Sequence, residues 1–378
     1  MTRERGLSTW KLRYAARRNR VFANPRFQYW AAKLPLIRRI ATARAGQAFD
    51  ILAGFTYSQT LRACVESGLF ELLRAETVLS AGTIAQRLDL SEAATLTLLR
   101  AGRALQLTEE PEPDHWMLGE AGTVLAADEG AQAMIRHHRL LYADLADPVE
   151  LLRKDRKEPT GLSQYWTYAG ALHGNAQRGA ETREYSELMA ASQGFVADQV
   201  LASFRFPEGA RLLDIGGGHG AFLTRMGEAF PSLHLGLFDL PEVAEAGAQI
   251  LKNRFGKART SAHPGNFFED TIPAGYDIVS LVRILHDHDD EPARALLANI
   301  HKSLKPGARL MIAEPMARAP GAEGMGEAFF GLYLWAMGSG RPRSREQIAQ
   351  MARKAGFATT RFIDTPQPVN ASIVIATA

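Results

Sequence analysis

The chain has very little cysteine and no long apolar run. Cys64 is the only cysteine among 378 residues, so the chain cannot form an intramolecular disulfide or a zinc cluster built on cysteines. Such a composition fits a reducing compartment. The N-terminus lacks the short apolar core of a signal peptide, and no apolar run approaches the roughly 18 residues of a membrane-spanning helix. These absences predict a cytoplasmic protein without a transmembrane segment.

Acidic residues are almost missing from residues 1–45, which hold twelve Lys or Arg and one acid, Glu4. This segment, the basic arm, has a net charge of +11 against +3 for the whole chain, which leaves −8 for the remainder. Aromatic residues such as Trp10 and Trp30 alternate with its arginines. The arm can lie on an anionic membrane surface, which would place the protein at the periphery of the inner membrane. It can equally pack as a helix on its own body or on a twin subunit.

Residues 46–190 are predicted to be mostly helical. Two short helices are split at LDLS, where Ser91 can cap the second, and PEPDHWMLGEAG after them indicates a turn and a short hairpin. This pattern is typical of a winged-helix module, for which DNA binding is the obvious function. The second helix, however, carries only two arginines and no Asn, Gln or Lys that could contact base edges. We therefore favour a packing or dimerisation module and expect no nucleic-acid partner.

The pattern changes after Gly209. Over residues 191–378, apolar strands alternate with helices of about ten to fifteen residues. The predicted strands lie in ARLLDI, LHLGLFDL, YDIVSLVRIL and ARLMIAEP. This alternation predicts an α/β domain with a parallel, doubly wound, Rossmann-like sheet. In sheets of this kind, ligands bind beyond the carboxyl ends of the strands.

The glycine-rich segment DIGGGHG ends the first of these strands. Gly216, Gly217 and Gly218 let the backbone approach a ligand, and the helix that follows offers free N–H groups. By itself this spacing also satisfies a relaxed dinucleotide fingerprint, and a tight turn without any ligand is a further alternative. Asp239 lies 21 residues past Gly218, at the end of the next strand, where an acid can accept both ribose hydroxyls of an adenosine.

Two features favour S-adenosylmethionine over a nicotinamide cofactor. Asp214 lies two residues before the first glycine, where a carboxylate can meet an amino-acid ammonium instead of a pyrophosphate. The segment HKSLKPGARLMIAEP combines a helix, a Lys-Pro-Gly turn and a strand, an order that is common in the methyltransferase fold.

A polar cluster follows the third strand in the run His286-Asp287-His288-Asp289-Asp290. It could be a metal nest, a catalytic base with its neighbours, or only a charged loop. A metal needs three or more converging ligands, which adjacent residues rarely supply, so we expect no metal. The acids Asp289, Asp290 and Glu291 are favourable at the start of the next helix, where Pro292 is also typical.

Taken in order, these segments resemble the plant-type small-molecule O-methyltransferases, the family of caffeate and acetylserotonin methyltransferases. The resemblance covers about residues 46–378 through LLDIGGGHG, FDLPEV, GNFF, LVRILHDHDD and LKPGARLMIAEP. Within that family, the basic arm and the residues after it are most similar to the bacterial hydroxyneurosporene and demethylspheroidene O-methyltransferases of carotenoid biosynthesis. The resemblance implies a homodimer, joined through the winged-helix domain, that uses S-adenosylmethionine. Its implied substrate is a small hydrophobic hydroxylated molecule, methylated at the C1 tertiary hydroxyl of an acyclic carotenoid.

The resemblance also assigns site residues by position. His286 falls on the catalytic histidine of the family, and Glu314 falls on the acid that steadies it. We expect Glu314 to accept a hydrogen bond from the second ring nitrogen of His286 and so fix its tautomer. The implied cofactor set comprises Asp214, Gly216, Gly217, Gly218, Asp239, Leu240, Asn266, Phe267 and Arg283. The implied substrate set comprises Met189, Phe329, Phe330, Tyr333 and Met337.

Two positions depart from the family. Asn266 occurs where the family commonly has an Asp beside the adenine, and its uncharged side-chain oxygen can still accept from the adenine amino group. Pro342, in GSGRPRSREQ, occurs where many relatives have a second supporting Glu. The three-residue base assembly is thereby reduced to two unless Glu346 or another acid takes that place.

The sequence leaves two alternatives to this function. The acceptor can instead be a phenol or another aromatic polyketide, because the apolar segment MGEAFFGLYLWAMG suits a flat ring as well as a long polyene. The non-enzyme alternative is a winged-helix regulator that binds the cofactor without using it.

Overall fold

The computed structural model describes residues 9–153, 158–165 and 193–378. Contacts within the chain divide it into two units, Met1–Val124 and Leu125–Ala378. The domain boundaries expected from the sequence, after residues 45 and 190, stay predictions.

The basic arm is helical. Its helices are α1 (Thr9–Phe22), α2 (Pro25–Lys33) and the first part of α3 (Pro35–Glu66). The side chain of Asn24 caps α2 by accepting two backbone N–H groups, and a proline starts both α2 and α3. Because α3 continues past residue 45 without a break, the arm and the residues after it share one helix of 32 residues. None of the helices in the described part of the chain is long and apolar enough to cross a membrane.

A helical module with a hairpin completes the first unit. Its elements are α4 (Leu69–Glu76), α5 (Ala81–Leu88), α6 (Glu92–Ala104), β1 (Thr108–Glu112), β2 (His115–Leu118) and α7 (Glu120–Ala127). Gly68, with φ +80°, separates α3 from α4, and Ser91 Oγ accepts the N–H of Ala94 at 3.2 Å to cap α6. β1 and β2 pair antiparallel around the fully buried Trp116. The predicted pair of short helices and the hairpin after them are confirmed.

The second unit begins with helices and continues with a seven-stranded sheet. The helices are α8 (Glu129–Asp144), α9 (Pro148–Leu152) and the helical residues 161–165 and 193–203. The remaining elements are β3 (Arg211–Ile215), α10 (Ala221–Ala229), β4 (His234–Asp239), α11 (Pro241–Phe255), β5 (Thr260–Pro264), β6 (Ile278–Val282), α12 (Asp290–Ser303), β7 (Arg309–Glu314), α13 (Phe330–Met337), α14 (Arg345–Ala355), β8 (Thr359–Ile363) and β9 (Ser372–Thr377).

The strand order is β5-β4-β3-β6-β7-β9-β8. Strands β3 to β7 are parallel, and β9 runs antiparallel between β7 and β8. The predicted α/β methyltransferase fold is therefore confirmed, and the four strands expected from the sequence are present. β5 and β8 were not expected because they are polar strands at the two edges of the sheet. β9 was not expected because an apolar run alone does not reveal its antiparallel partners.

Each face of the central strands is covered by helices. Leu212 of β3 packs in one core with Phe222 of α10, and the next residue, Leu213, packs in a second core with Leu296 of α12. Successive side chains of a strand point to opposite faces, so a strand buried on both faces is apolar throughout. Because β3, β4, β6 and β7 are parallel, the loops after them all leave at the same edge of the sheet. That edge holds the candidate site.

The packing of α11 gives a matched test of the fold. Leu251 is fully buried in the first core, whereas Ile250 beside it is 46% exposed. We predict that Leu251→Ala lowers the free energy of unfolding by about 2–5 kcal/mol, through lost burial and the cavity left behind. Ile250→Ala should change it by no more than about 0.5 kcal/mol. Denaturant unfolding of both variants measures the difference, and equal losses would contradict the assignment of the buried face of α11.

Candidate active site

The loop after β3 has a backbone that only glycine adopts without strain at two positions. Gly216 has φ +68° and Gly218 has φ +58°. A Cβ on Gly216 would lie 2.6 Å from Ile284 Cδ1, and one on Gly217 would lie 2.6 Å from Asp214 Oδ2. The loop therefore presents bare backbone next to a carboxylate, directly before α10.

Asp239 closes this loop from the end of β4. Its Oδ2 accepts the N–H of Gly218 at 2.8 Å, and its Oδ1 accepts the N–H of Leu240 at 2.8 Å. A carboxylate has about four acceptor positions, more than these two N–H groups use, and ribose hydroxyls are donors of the kind that it accepts. The structure thus brings together three of the predicted cofactor residues through Asp239.

Asp214 is a buried acid with one unsatisfied oxygen. Its Oδ1 accepts the Ser280 hydroxyl at 2.6 Å, while Oδ2 has no hydrogen-bond partner among the described residues. Burial raises the pKa of Asp214 to about 7, against the opposing effect of the Ser280 hydrogen bond. A cation that reached Oδ2 would satisfy this oxygen and favour the ionised form. This is the environment that an ammonium group needs.

The loop after β5 places Asn266 and Phe267 at the same edge. Asn266 Oδ1 accepts the N–H of Phe268 at 3.0 Å, so part of its acceptor capacity is used within its own turn. The Asn266 N–H is donated to Asp270 Oδ2 at 2.7 Å. The rings of Phe267 and Phe268 lie with their centroids 5.7 and 5.0 Å from that of His288. His288 is therefore a partly exposed member of an aromatic cluster.

Arg283 follows β6 in an unusual conformation. Its φ of +56° is rare for a residue with a side chain, and such strain is found most often at functional sites. Its Nε is buried and has no hydrogen-bond partner among the described residues. Its charge lowers the pKa values of His286 and His137, in each case adding to the larger effect of burial.

These features fit S-adenosylmethionine. The unsatisfied oxygen of Asp214 suits the ammonium of its amino-acid part, the bare backbone at Gly216 and Gly218 admits close contact, and Asp239 offers acceptors for the ribose. No group of three or more His, Cys, Asp or Glu that could hold a metal ion occurs within residues 9–153, 158–165 and 193–378.

His286 lies in a single 3-10 turn, Leu285–Asp287, just past the end of β6. Its ring is buried; Nε2 is 3.2 Å from Asp287 Oδ1, and Nδ1 has no hydrogen-bond partner in the described part of the chain. Burial, reinforced by the positive charges of Arg283 and Arg343, holds the pKa of His286 well below its usual range. The imidazole is therefore neutral at neutral pH, as a base must be.

Glu314 contacts His286 differently from the prediction. The carboxylate lies fully buried at the end of β7, where Oε2 accepts the backbone N–H of His286 at 3.1 Å and Oε1 has no partner among the described residues. The expected hydrogen bond to the ring is not formed, because the 3-10 turn directs the main chain toward β7 and leaves the ring beside Asp287. Burial raises the pKa of Glu314, and the His286 N–H opposes this effect.

Among the residues that the structure describes, Glu346 does not replace the second supporting Glu at Pro342. Glu346, the nearest candidate from the sequence, accepts the hydroxyl of Ser344 at 2.7 Å in the first turn of α14. The carboxylate that does approach the imidazole is Asp287, the neighbour of His286. The sequence placed Asp287 in the polar run without a defined role, since adjacency along a chain does not reveal such a contact.

Aromatic side chains line the approach to His286. The ring centroid of Phe330 is 5.9 Å from that of His286, and Phe329 is 5.0 Å from Phe330 and 5.9 Å from Tyr333. Phe329 ends a π-helical turn, Met325–Phe329, a rare geometry that is frequent at functional sites. Met337 packs in the same cluster. Met189, the remaining residue of the predicted substrate set, lies outside the described residues.

Two histidines of α8 also belong to this cluster, and no role was predicted for them from the sequence. His137 Nε2 lies 2.8 Å from the hydroxyl of Tyr333, and burial lowers the pKa of His137 to about 4. The ring of His138 meets Phe329 edge-on at 5.3 Å. The signal available in the sequence was a pair of adjacent histidines within a predicted helix. Only the fold shows that this pair contacts residues nearly 200 positions later.

Two known domains match the chain. The O-methyltransferase domain matches residues 142–358, and the O-methyltransferase dimerisation domain matches residues 49–128. The chain belongs to the O-methyltransferase family.

Relatives of this O-methyltransferase extend over nearly its whole length. It is 38% identical to the demethylspheroidene O-methyltransferase of Cereibacter sphaeroides, over 94% of this chain and 93% of that protein. It is 40% identical to the demethylspheroidene O-methyltransferase of Rhodobacter capsulatus, over 91% of this chain and 85% of that protein. The crystal structure of human N-acetylserotonin methyltransferase in complex with S-adenosylmethionine has the same fold, with a TM-score of 0.65, 21% identity, and coverage of 88% of this chain and 97% of that one.

These matches establish an S-adenosylmethionine-dependent O-methyltransferase, and the dimerisation domain supports a homodimer. At the start of that domain, α3 exposes a run of apolar side chains: Phe49, Ile51, Leu52 and Phe55. Exposed apolar residues this close together are typical of an interface that a second subunit covers.

The ionisation of Asp214 should govern cofactor affinity. Below about pH 7 this carboxyl is largely protonated and must lose its proton to bind an ammonium, so the affinity for S-adenosylhomocysteine should rise with pH up to about 7 and then level off. Binding at about pH 6 should release close to one proton, measured by calorimetry in buffers of different ionisation enthalpy. Asp214→Asn should remove this pH dependence, and Asp277→Asn, at an exposed ion pair, should keep it. An unchanged pH dependence in Asp214→Asn would refute the assignment.

Proposed function

We propose that this enzyme methylates the C1 tertiary hydroxyl of an acyclic carotenoid of the demethylspheroidene or hydroxyneurosporene type. The observation that carries the proposal is the similarity, at 38–40% identity over more than nine-tenths of the chain, to two demethylspheroidene O-methyltransferases. The aromatic side chains of Phe329, Phe330 and Tyr333 beside His286 support it, since a long apolar acceptor needs such a wall.

S-adenosylmethionine supplies an electrophilic methyl group on a sulfonium. We assign Asp214, Gly216, Gly217, Gly218, Asp239, Leu240, Asn266, Phe267 and Arg283 to its binding. Methyl transfer is an in-line displacement, so the main task of the chain is to hold the acceptor oxygen in position. The acceptor must also lose its proton, and a neutral imidazole is the group that can take it.

His286 takes that proton. An aliphatic alcohol is far less acidic than a phenol, so the proton leaves in concert with attack and the rate depends strongly on the base. The low pKa of His286 keeps the ring unprotonated before the reaction. When the ring gains a proton, the carboxyl groups of Asp287 and Glu314 are the acids in contact with this residue that can offset its positive charge.

Removal of the base tests this mechanism. We predict that His286→Ala lowers kcat with a 1-hydroxy acyclic carotenoid by about 10²–10⁴-fold, and leaves the affinity for S-adenosylhomocysteine unchanged. His234→Ala, at an exposed position at the start of β4, should keep the wild-type rate. Turnover is followed by transfer of labelled methyl. A near wild-type kcat in His286→Ala would show that another group is the base.

A panel of acceptors tests the substrate separately. The wild-type enzyme is incubated with 1-hydroxy acyclic carotenoids, simple phenols and phenolic polyketides. We expect methylation of the carotenoids; activity on phenols alone would refute the carotenoid acceptor and favour the phenolic alternative.

We also propose that the basic arm contacts an anionic membrane surface, from which a carotenoid can be drawn. Its aromatic side chains are more than half exposed at Trp10, Tyr14, Tyr29 and Trp30. They accompany twelve basic residues and one acid. Exposed rings next to cations suit the headgroup region of a bilayer.

Charge neutralisation in the arm tests the membrane contact. Replacement of Arg17, Arg18, Arg38 and Arg39 by Gln should weaken binding to vesicles that contain phosphatidylserine, by about 4 kcal/mol at about 1 kcal/mol per cation. Four exposed arginines of the second unit, Arg153, Arg205, Arg254 and Arg353, provide a control with the same change in charge. Vesicle co-sedimentation measures both. Equal loss of vesicle binding in the two sets of variants would argue against a specific membrane contact by the arm. So would arm variants that form a weaker dimer but bind vesicles as the wild type does.

A further inference from the structure

Arg343 is fully buried, in the segment between α13 and α14. Its Nη1 donates to the carbonyl oxygen of Leu285 at 2.8 Å, and its Nη2 donates to that of His288 at 2.7 Å. Nε and Nη2 also donate to Asp290 Oδ1, at 3.1 and 2.9 Å. A single guanidinium therefore joins the residues on either side of His286.

The residues before Arg343 bind the same turn. The carbonyl oxygen of His286 accepts the backbone N–H of Arg341 at 2.9 Å, and that of Asp287 accepts the hydroxyl of Ser339 at 2.9 Å. All four consecutive carbonyl oxygens from residue 285 to residue 288 thus accept a hydrogen bond from residues 339–343, which we call the clamp segment. Gly340 has φ +84°, and a Cβ there would collide with the carbonyl oxygen of His286.

Arg343 forms an ion pair with Asp290, at the start of α12. The pKa of Asp290 lies well below its usual range. The hydrogen bonds that Arg341 donates lower it most, those from Arg343 lower it further, and partial burial opposes them with a smaller effect. Arg341 binds both carboxylate oxygens, at 2.8 and 2.9 Å, and Arg294 binds Oδ2 at 3.0 Å. Three arginines share this carboxylate, but only the guanidinium of Arg343 reaches the carbonyl oxygens of the His286 turn.

A buried charge destabilises the protein unless its hydrogen bonds are satisfied. Because the guanidinium is planar and two of its N–H groups donate to backbone carbonyl oxygens, these bonds hold it in one geometry. The imidazole in turn has no carboxylate from residue 342, where a proline occurs. Instead, Asp287 Oδ1 of the same turn lies 3.2 Å from its Nε2. The orientation of the ring therefore depends on residues 285–288, which the clamp segment fixes.

We propose that Arg343 is a positioning residue for the catalytic base: with Asp290 as its counter-ion, it fixes the turn that carries His286. The proposal rests on the proposed function of His286. Arg343 acts through His286 alone, so its removal lowers the rate only where His286 is present.

The experiment compares Arg343→Met with Arg294→Met and Arg341→Met, which each remove a partner of Asp290 but no side-chain hydrogen bond to the turn. In the full-length homodimer we expect Arg343→Met to lower kcat by about 100-fold, since a misplacement of about 1 Å has that effect. KM for the acceptor and the affinity for S-adenosylhomocysteine should change by less than about threefold in all three variants, and the two controls should keep kcat within that range.

A double-mutant cycle separates positioning from a general structural role. In the His286→Ala background, Arg343→Met should change the residual rate by less than about threefold, because the group that it positions is gone. Hydrogen exchange should accelerate in residues 284–290 of Arg343→Met and stay unchanged in β6 and β7. The proposal would be overturned if Arg343→Met and Arg294→Met had equal kcat. It would also be overturned if Arg343→Met lowered the rate 100-fold both in the wild-type enzyme and in the His286→Ala background.

Two further results complete the test. If Arg343→Met does not bind S-adenosylhomocysteine, the deciding variant is Asp290→Asn, which keeps every donor of Arg343 and weakens the ion pairs of Asp290 with Arg343, Arg341 and Arg294. Its kcat should fall further than those of Arg294→Met and Arg341→Met, and a kcat equal to theirs would overturn the proposal. Hydrogen exchange of residues 284–290 needs no acceptor, so an incorrect carotenoid assignment would not obscure the result. Full activity in His286→Ala would instead refute the proposed base and leave the exchange result standing.

Discussion

The candidate active site, at the carboxyl edge of the sheet, depends on two acids and a histidine that are buried with some of their hydrogen-bonding atoms unsatisfied. Asp214, His286 and Glu314 lie at or just past the carboxyl ends of β3, β6 and β7, and each has a polar atom with no hydrogen-bond partner in the part of the chain that the structure describes. The carboxyl ends of parallel strands lie at the same edge of the sheet, because each crossover connection leads to a strand that runs in the same direction. This holds independently of the reaction that the site catalyses. The charged forms are thereby penalised in the free protein, and ligands that supply opposite charge or donors relieve the penalty.

The sequence was a good guide to features that depend on local pattern. Ser91 at the start of α6, the hairpin after that helix, and the strands that end at Ile215 and Asp239 follow from capping, turn and periodicity signals. The glycine loop and Asp239 were predicted to act together, and a hydrogen bond from Gly218 to Asp239 joins them. Spacing along the chain was sufficient here, because the two segments are on adjacent parallel strands.

The sequence was a poor guide where side chains choose among partners. Glu314 was expected at the ring of His286, yet it binds the main chain, since the direction of a 3-10 turn is set by contacts with distant segments. Asp290 was assigned to the start of a helix; it does occupy the first turn of α12, but it also binds three arginines, two of them more than 50 residues away. The partners of these side chains are set by tertiary contacts, which local sequence propensities do not encode.

The length of α3 has a mechanical consequence. A helix of 32 residues rises about 48 Å and has no proline after its first residue, so the end of the basic arm and the start of the dimerisation domain lie on one continuous helix. A homodimer consequently carries two arms whose directions are set by its own assembly. In the proposed membrane contact, two such arms would act as a bivalent ligand, in which the second contact forms at a high effective concentration once the first is made. Under that proposal, residence on the surface would depend on the dimerisation equilibrium.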